Sequence, residues 1–191
     1  MTQQMTPEQG RQLLVLARTT MGAHLAAESL PALPQEPALR QECGTFVTLK
    51  LDGQLRGCIG NIEPHGTLAE SVRRNSISAA VHDPRFLPLS VAELAQVRIE
   101  VSILSSPEPL NYHDPADLVA RLRPGIDGVV LRLGRTHGAT FLPQVWEQLP
   151  QPEQFLAQLC RKAGLAESAW RRERPEIEIY QVEKFSEGEA R

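Results

Sequence analysis

The strongest structural signal in this sequence is residues 45–59, T-F-V-T-L-K-L-D-G-Q-L-R-G-C-I. Its first seven residues are rich in apolar and β-branched side chains, which is typical of a β-strand. Asp52-Gly53 follows, and this pair favours a two-residue hairpin turn. We therefore predict a strand over 45–51 and an antiparallel return strand over 54–59.

The position of the turn predicts which residues face each other. If Asp52 and Gly53 alone form the turn, Val47 lies opposite Cys58 and Leu49 lies opposite Arg56. Because side chains alternate across a strand, Arg56 and Cys58 then share one face of the sheet. A bulge near Gly57 would change this register.

Capping signals on either side of the hairpin predict helices. Thr6, Thr67 and Ser90 each stand three residues before a Gln or Glu, the spacing of a capping box. Further helices are predicted from Asp114-Pro115 and from Gln151-Pro152. Apolar patterning predicts additional strands at 97–103, 129–133, 139–142 and 176–182. Mixed helices and strands with a tight hairpin favour an α+β fold, with a largely antiparallel sheet packed with helices.

Composition restricts the class of protein. The 191 residues carry 20 basic and 23 acidic side chains, a net charge of −3, with 41% hydrophobic residues. These values predict a globular, cytoplasmic protein; the sequence has no apolar run long enough for a membrane span and no secretory signal at its start. The acidic balance argues against nucleic-acid binding. The three cysteines lack the spacing of a metal site or disulfide framework, so we predict no metal site.

The segment L-R-G-C-I-G at 55–60 is the strongest candidate for chemistry. Gly57 and Gly60 permit close backbone approach or positive φ beside Cys58. Arg56 near a thiol favours the reactive thiolate, and backbone N–H groups near Cys58 could bind a developing oxyanion. The alternative is a core cysteine in a glycine-kinked strand, and the residues by themselves favour it.

A second candidate is His82-Asp83-Pro84-Arg85-Phe86, at the end of a predicted helix. His82 could act as a base that Asp83 orients; the alternative is a local cap with Asp83 in an Asx turn. Glu100 lies on the polar face of the strand at 97–103, where it either lines a cleft or faces water, and the pattern favours water. His65, His113 and His137 are interpreted as surface residues.

Several motifs occur together in one order. They are L-R-G-C-I-G at 55–60, D-P-R-F-x-P at 83–88, A-T-F-L-P-Q-V-W at 139–146, F-L-A-Q-L-C-R-K-A-G-L at 155–165, and Trp170. This combination resembles the AMMECR family, known in bacteria and archaea as protein A of the AmmeMemoRadiSam system. The resemblance spans residues 10–186, so we expect a single domain there with loose termini at 1–5 and 187–191.

The resemblance implies a larger and a smaller lobe with a cleft between them that contains the L-R-G-C-I-G motif. It also implies association with a Memo-type protein and a radical SAM protein. Carried over by motif match, the suspected functional surface comprises Arg56, Gly57, Cys58, Ile59 and Gly60, followed by Asp83 and Arg85. The resemblance names no reaction and no cofactor, but it favours a functional Cys58 over a core one.

Two functional hypotheses follow. In the first, the protein is a cysteine-dependent enzyme in which Cys58 is the nucleophile or redox thiol, Arg56 activates it or holds an anionic substrate, and Asp83 handles protons. Gly57, Ile59, Gly60, Arg85 and Glu100 would then line the binding surface. In the second, the protein is a non-catalytic binding or carrier protein that docks with, or is modified by, the two partner proteins.

Overall fold

A computed structural model describes residues 4–188 of the chain. Two compact units make it up. The first unit comprises the residues up to Ser105 together with those from Glu183 onward, and the second is Ser106–Val182. Both units combine helices with antiparallel strand pairs, which confirms the predicted α+β class. The cleft between two lobes stays a prediction.

The first unit is built on a four-stranded sheet with the order β2-β1-β3-β8. Its strands are β1 (Thr45–Leu51), β2 (Gln54–Asn61), β3 (Arg98–Leu104) and β8 (Val182–Ser186). Its helices are α1 (Pro7–Leu25), α2 (Leu68–Val81) and α3 (Val91–Leu94), with a 3-10 turn at Pro37–Arg40. β2 is therefore an edge strand, and the candidate motif lies on it.

Capping boxes begin the three helices of this unit, as predicted. Thr6, Thr67 and Ser90 each accept a hydrogen bond from the third helical residue, whose side chain accepts from the cap backbone in return. Each box satisfies N–H groups that would otherwise lack partners at a helix start.

The core of the first unit lies between the helices and one face of the sheet. Alternation along β1 and β3 turns the same set of apolar side chains toward α1 and α2. The fully buried members include Leu13, Ala17, Met21, Val47, Leu49, Leu68, Val72, Ile99 and Val101. The opposite face of the sheet carries Cys58, Thr48 and Glu100, which lie side by side on three adjacent strands.

The β1–β2 hairpin turns at Asp52-Gly53, but the predicted register is wrong beyond the second pair. The register shifts by one residue between Leu49 and Lys50. Arg56 is the extra residue on β2, so that Cys58 faces Thr48 rather than Val47. Leu49 faces Gly57 rather than Arg56. A bulge places two residues of one strand against one of the other, and it shifts every later pair by one position.

The second unit holds a sheet with the order β4-β7-β5-β6. Its strands are β4 (Glu108–Pro109), β5 (Gly128–Leu133), β6 (His137–Phe141) and β7 (Glu176–Tyr180). Its helices are α4 (Pro115–Arg121), α5 (Pro152–Lys162) and α6 (Ala169–Arg172), with a 3-10 turn at Pro143–Glu147. Trp146 stacks on Phe155 at 3.7 Å between ring centroids, at the centre of this unit's own core.

One further expectation needs correction. The single strand predicted at 176–182 ends at Tyr180, and the chain after Gln181 joins the other sheet as β8. Within the predicted loose ends, which stay a prediction, Met5 is buried and Glu187 pairs with Arg18. The rest of the predicted loose ends, 1–3 and 189–191, lies outside the described residues. None of the helices in residues 4–188 combines the length and apolarity needed to cross a membrane.

Candidate functional site around Cys58

Cys58 lies near the middle of the edge strand β2, and its side chain is half-buried. Its Sγ atom is 3.2 Å from Oγ1 of Thr48 on the neighbouring strand. This contact exists because the bulge brings Thr48, not Val47, opposite the cysteine. The register without a bulge missed Thr48, and the alternative considered from the sequence, a bulge near Gly57, is the one that brings Thr48 opposite Cys58.

The backbone of Cys58 is held from the open side of the sheet by the turn that follows α2. The Cys58 N–H donates to Oδ2 of Asp83 at 2.8 Å, and the Cys58 carbonyl accepts from Nη2 of Arg85 at 3.1 Å. Asp83 and Arg85 thus supply one acceptor and one donor to an edge strand, as a neighbouring strand would. We call this pair of contacts the edge clamp. It explains physically why L-R-G-C-I-G and D-P-R-F belong to one structural unit.

The clamp is itself held together by a buried carboxylate. Asp83 also accepts from the backbone N–H of Arg85 at 3.1 Å and from its guanidinium at 2.9 and 2.7 Å. The Arg85 guanidinium is the main reason that the pKa of Asp83 lies well below its usual range, and the N–H of Cys58 adds to the effect. A carboxylate that stays ionised and accepts four hydrogen bonds is better suited to hold Cys58 and Arg85 in place than to accept and release a proton.

The N–H of Cys58 itself is not free to bind a developing oxyanion, since it donates to Asp83. The part-buried contact leaves this donor committed to a carboxylate. An oxyanion hole needs donors that are free to receive developing charge.

Arg56 does not serve Cys58 in the way that the predicted register suggested. Its Nε donates to Oε1 of Glu93 at 3.0 Å, and its guanidinium lies 5.9 Å from the Phe86 ring centroid. Arg56 is the main cause that lowers the pKa of Glu93 to about 2, and Ser90 contributes. The cation next to the Cys58 backbone is Arg85. Its guanidinium also lies near the Phe86 ring, 5.5 Å from the ring centroid.

The two glycines of the motif allow close packing. A Cβ on Gly57 would lie 2.2 Å from the carbonyl oxygen of Ala79 in α2, and a Cβ on Gly60 would lie 2.2 Å from the carbonyl oxygen of Thr45. Neither glycine has positive φ. Of the two roles considered from the sequence, the close-approach role is therefore the one present.

Ile59 and Glu100 lie on opposite faces of the sheet. Ile59 faces Val47 and packs against the helix-side core, away from Cys58. Glu100 faces Thr48 on the same side as Cys58, and its side chain is only 12% exposed, so the preference for a water-facing Glu100 is wrong. Its carboxylate pairs with Lys50 at 3.2 Å and accepts from Ser186 at 3.4 Å.

The other cysteines are buried. Burial raises the pKa of the Cys43 thiol to about 11, and burial also raises the pKa of Cys160. His65 and His82 are exposed, as are His113 and His137. Within residues 4–188, no three or more His, Cys, Asp and Glu side chains are arranged to hold a metal ion.

The fold and site together define an α+β protein that displays a half-buried cysteine on a clamped edge strand. The AMMECR1 family model matches residues 14–185, and the chain belongs to this family. A protein of Methanothermobacter thermautotrophicus is 37% identical over 187 residues, which cover 94% of this chain and 95% of that protein. Protein Ta0236 of Thermoplasma acidophilum is 38% identical over 93% of this chain and 87% of its own length.

A solved structure has a similar fold. The crystal structure of the uncharacterised protein PH0010 from Pyrococcus horikoshii superposes with a TM-score of 0.85 at 32% identity. The superposition covers 96% of this chain and 94% of PH0010.

Proposed function

We propose that this AMMECR1-family protein is a cytoplasmic binding and carrier protein that presents the Cys58 thiol to a partner protein. The observation that carries the proposal is the edge clamp, which fixes the Cys58 backbone on both its N–H and its carbonyl while the side chain stays half-buried rather than fully buried. A thiol held on a rigid strand is displayed at a defined place, which suits recognition by a second protein.

The immediate surroundings of the thiol support presentation more than catalysis. The hydrogen-bond partner that the described residues give to Sγ is the hydroxyl of Thr48, which is not a base near neutral pH. The N–H of Cys58 is bound to Asp83 and is not available to stabilise an oxyanion. A cysteine nucleophile normally has an adjacent base and free donors.

Exposed apolar side chains flank the same edge of the sheet. Leu55 is 44% exposed and precedes Arg56 on β2, whereas Val91 is 63% exposed and lies two residues before the Glu93 that binds Arg56. Leu87 is 83% exposed and follows the Phe86 ring that contacts Arg56. Exposed apolar side chains of this kind are available for contact with a second protein.

The partners are proposed from the family resemblance: a Memo-type protein and a radical SAM protein, as in protein A of the AmmeMemoRadiSam system. No nucleic acid enters the proposal, because the net charge is −3. The thiol would then be either a docking contact or the atom that a partner modifies.

The test mixes the purified chain with each partner and follows co-elution and the intact mass of the chain. We expect co-elution with one of them, weakened by Cys58→Ser and by Leu87→Asp. Ile126→Asp is the matched control, because Ile126 is also exposed (51%) but belongs to the second unit. Absence of co-elution with both partners, together with an unchanged mass, would contradict the proposal.

The second candidate function is a cysteine-dependent enzyme, and one observation favours it. Arg85 lies against Cys58, and the Asp83 carboxylate and, to a lesser extent, Cys58 raise the pKa of this arginine. In this alternative Cys58 is the nucleophile and Arg85 binds an anionic substrate. The alkylation rate of native protein, measured against pH, separates the two: a profile that matches free cysteine contradicts the enzyme.

A further inference from the structure

A surface groove of about 480 Å³ lies over the outer face of α2, apart from Cys58. Glu70, Arg73, Arg74 and Ile77 line it from the helix at the i, i+3, i+4, i+7 spacing that places side chains on one face. The segment that follows α1 and the loop before α2 complete the wall with Leu30 and His65. This volume is within the range of small-molecule sites.

The two arginines of this groove bind neutral groups. Arg74 donates to the carbonyl oxygen of His65 at 2.9 Å and to the Ser71 hydroxyl at 3.2 Å. Arg73 is 3.5 Å from the carbonyl oxygen of Pro31. Carbonyl and hydroxyl groups orient a guanidinium without neutralising its charge.

Other arginines of the same unit are neutralised by contact with carboxylates. Arg56 pairs with Glu93 at 3.0 Å, and Arg85 pairs with Asp83 at 2.7 Å. The groove therefore differs from the Cys58 site, where each guanidinium has an acidic partner.

One carboxylate does belong to the groove, and it is engaged elsewhere. Glu70 accepts from the Thr67 N–H at 2.8 Å and from the Thr67 hydroxyl at 2.9 Å, as the capping box requires. These bonds are the main cause that lowers the pKa of Glu70, and the charges of Arg73 and Arg74 contribute. With Glu70 ionised, two guanidinium groups face one carboxylate, which leaves the groove with a net positive charge.

The groove also has an apolar part. Leu30 is 41% exposed, and Ile77 is half-buried. A ligand that satisfies both parts has an anionic group that accepts several hydrogen bonds and an apolar or aromatic body. A phosphomonoester meets the first condition, because guanidinium groups match phosphate oxygens in geometry and charge.

We propose that the groove formed by Leu30, His65, Glu70, Arg73, Arg74 and Ile77 binds a small organic phosphate, with the phosphate against the arginines and the apolar body on Leu30 and Ile77. The site is independent of the function proposed for Cys58, because it shares no residue with it.

The test is an NMR titration of the ¹⁵N-labelled full chain with AMP, adenosine and inorganic phosphate as separate probes. We expect AMP to shift signals from the groove residues and to bind at least about tenfold more tightly than either adenosine or phosphate, because only AMP has both parts. No shift with AMP, or shifts confined to other surfaces, would overturn the proposal.

A charge-matched pair of variants adds a second readout. Arg73→Gln with Arg74→Gln is expected to weaken AMP binding at least about tenfold, since charge-assisted hydrogen bonds are lost. The control is Arg171→Gln with Arg172→Gln, which removes the same charge from α6 and should leave AMP affinity unchanged. If both double variants bind AMP like the wild type, the groove is not the site.

Circular dichroism checks that the variants fold. If the groove variant does not fold, the AMP titration of the wild-type chain alone decides whether the groove is the site. A fourth probe, a single-stranded RNA oligomer, covers the alternative class of ligand. Steeply salt-dependent binding of this oligomer to the groove without AMP binding would overturn the proposal in favour of a nucleic-acid surface.

Discussion

Replacing Asp83 by asparagine should loosen the edge clamp and destabilise the first unit. The Asp83 side chain is 2% exposed, and its two oxygens share four donor contacts with Cys58 and Arg85. In asparagine one oxygen becomes an NH₂ group, so two of these donors lose their acceptor. Breaking a fully buried ion pair costs about 3–5 kcal/mol. Arg85 is 53% exposed and can turn toward water, so the loss is closer to the cost of one unsatisfied N–H, about 2 kcal/mol.

The assay is urea unfolding at pH 7, where about 2 kcal/mol corresponds to a midpoint lowered by roughly 1 M. Asp52→Asn is the matched control, because Asp52 is exposed and its φ of 49° lies in a region that asparagine also adopts. Amide hydrogen exchange of the Cys58 N–H should be slow in the wild type and in the control, and faster in Asp83→Asn. Equal midpoints for the two variants, with an unchanged Cys58 exchange rate, would refute the clamp.

The pH dependence of this difference has a defined sign. The folded-state pKa of Asp83 is lowered, so its contribution to stability is complete above the unfolded pKa of about 3.9 and is lost as the pH falls toward the folded value. The gap in free energy of unfolding between wild type and Asp83→Asn should therefore shrink below about pH 4. A gap that widens with acid would contradict the assigned charge state.

Three other predictions concern the same edge of the sheet. Gly57→Ala should destabilise the protein by about 1–3 kcal/mol in thermal unfolding, because the new Cβ would lie 2.2 Å from the Ala79 carbonyl oxygen, and an unchanged melting temperature would contradict this close approach. Glu93→Gln should cost about 0.5–1 kcal/mol at pH 7, and urea titrations should show this difference fading as the pH falls from about 4 toward the folded pKa of about 2. Iodoacetamide should label the native chain once, at Cys58, since the other two cysteines are buried; a second label without unfolding would count against the fold.

Local patterns predicted the elements of the first unit well. The capping boxes at Thr6, Thr67 and Ser90 begin helices because their chemistry acts within one turn. Asp52-Gly53 forms the hairpin turn for the same reason: its backbone preference is local.

Contacts between distant segments were beyond prediction. The partner of Arg56 is Glu93, 37 residues later, and no pattern in either segment names the other. Gly57 packs so closely that an added Cβ would lie 2.2 Å from the Ala79 carbonyl oxygen, and this approach is visible only once α2 is packed on the sheet. The Asx turn predicted as an alternative for Asp83 is present, since Asp83 accepts from the Arg85 N–H. The hydrogen bond from the Cys58 N–H to Asp83 was not predicted.

The division of strands between sheets was also beyond prediction. The run from Glu176 to Ser186 contains two strands, β7 and β8, which belong to different sheets. Alternating apolar residues predict an extended backbone but not the neighbour with which it pairs.

The most direct test of partner presentation is the alkylation rate of Cys58 measured with and without each partner protein. The buried Cys43 and Cys160 serve as internal controls in the same digest. If Cys58 is the presented group, a saturating amount of the correct partner should slow its alkylation at least about tenfold, or replace it with a partner-dependent mass change on the same peptide. An alkylation rate that neither partner alters, on an otherwise unmodified chain, would contradict the proposal.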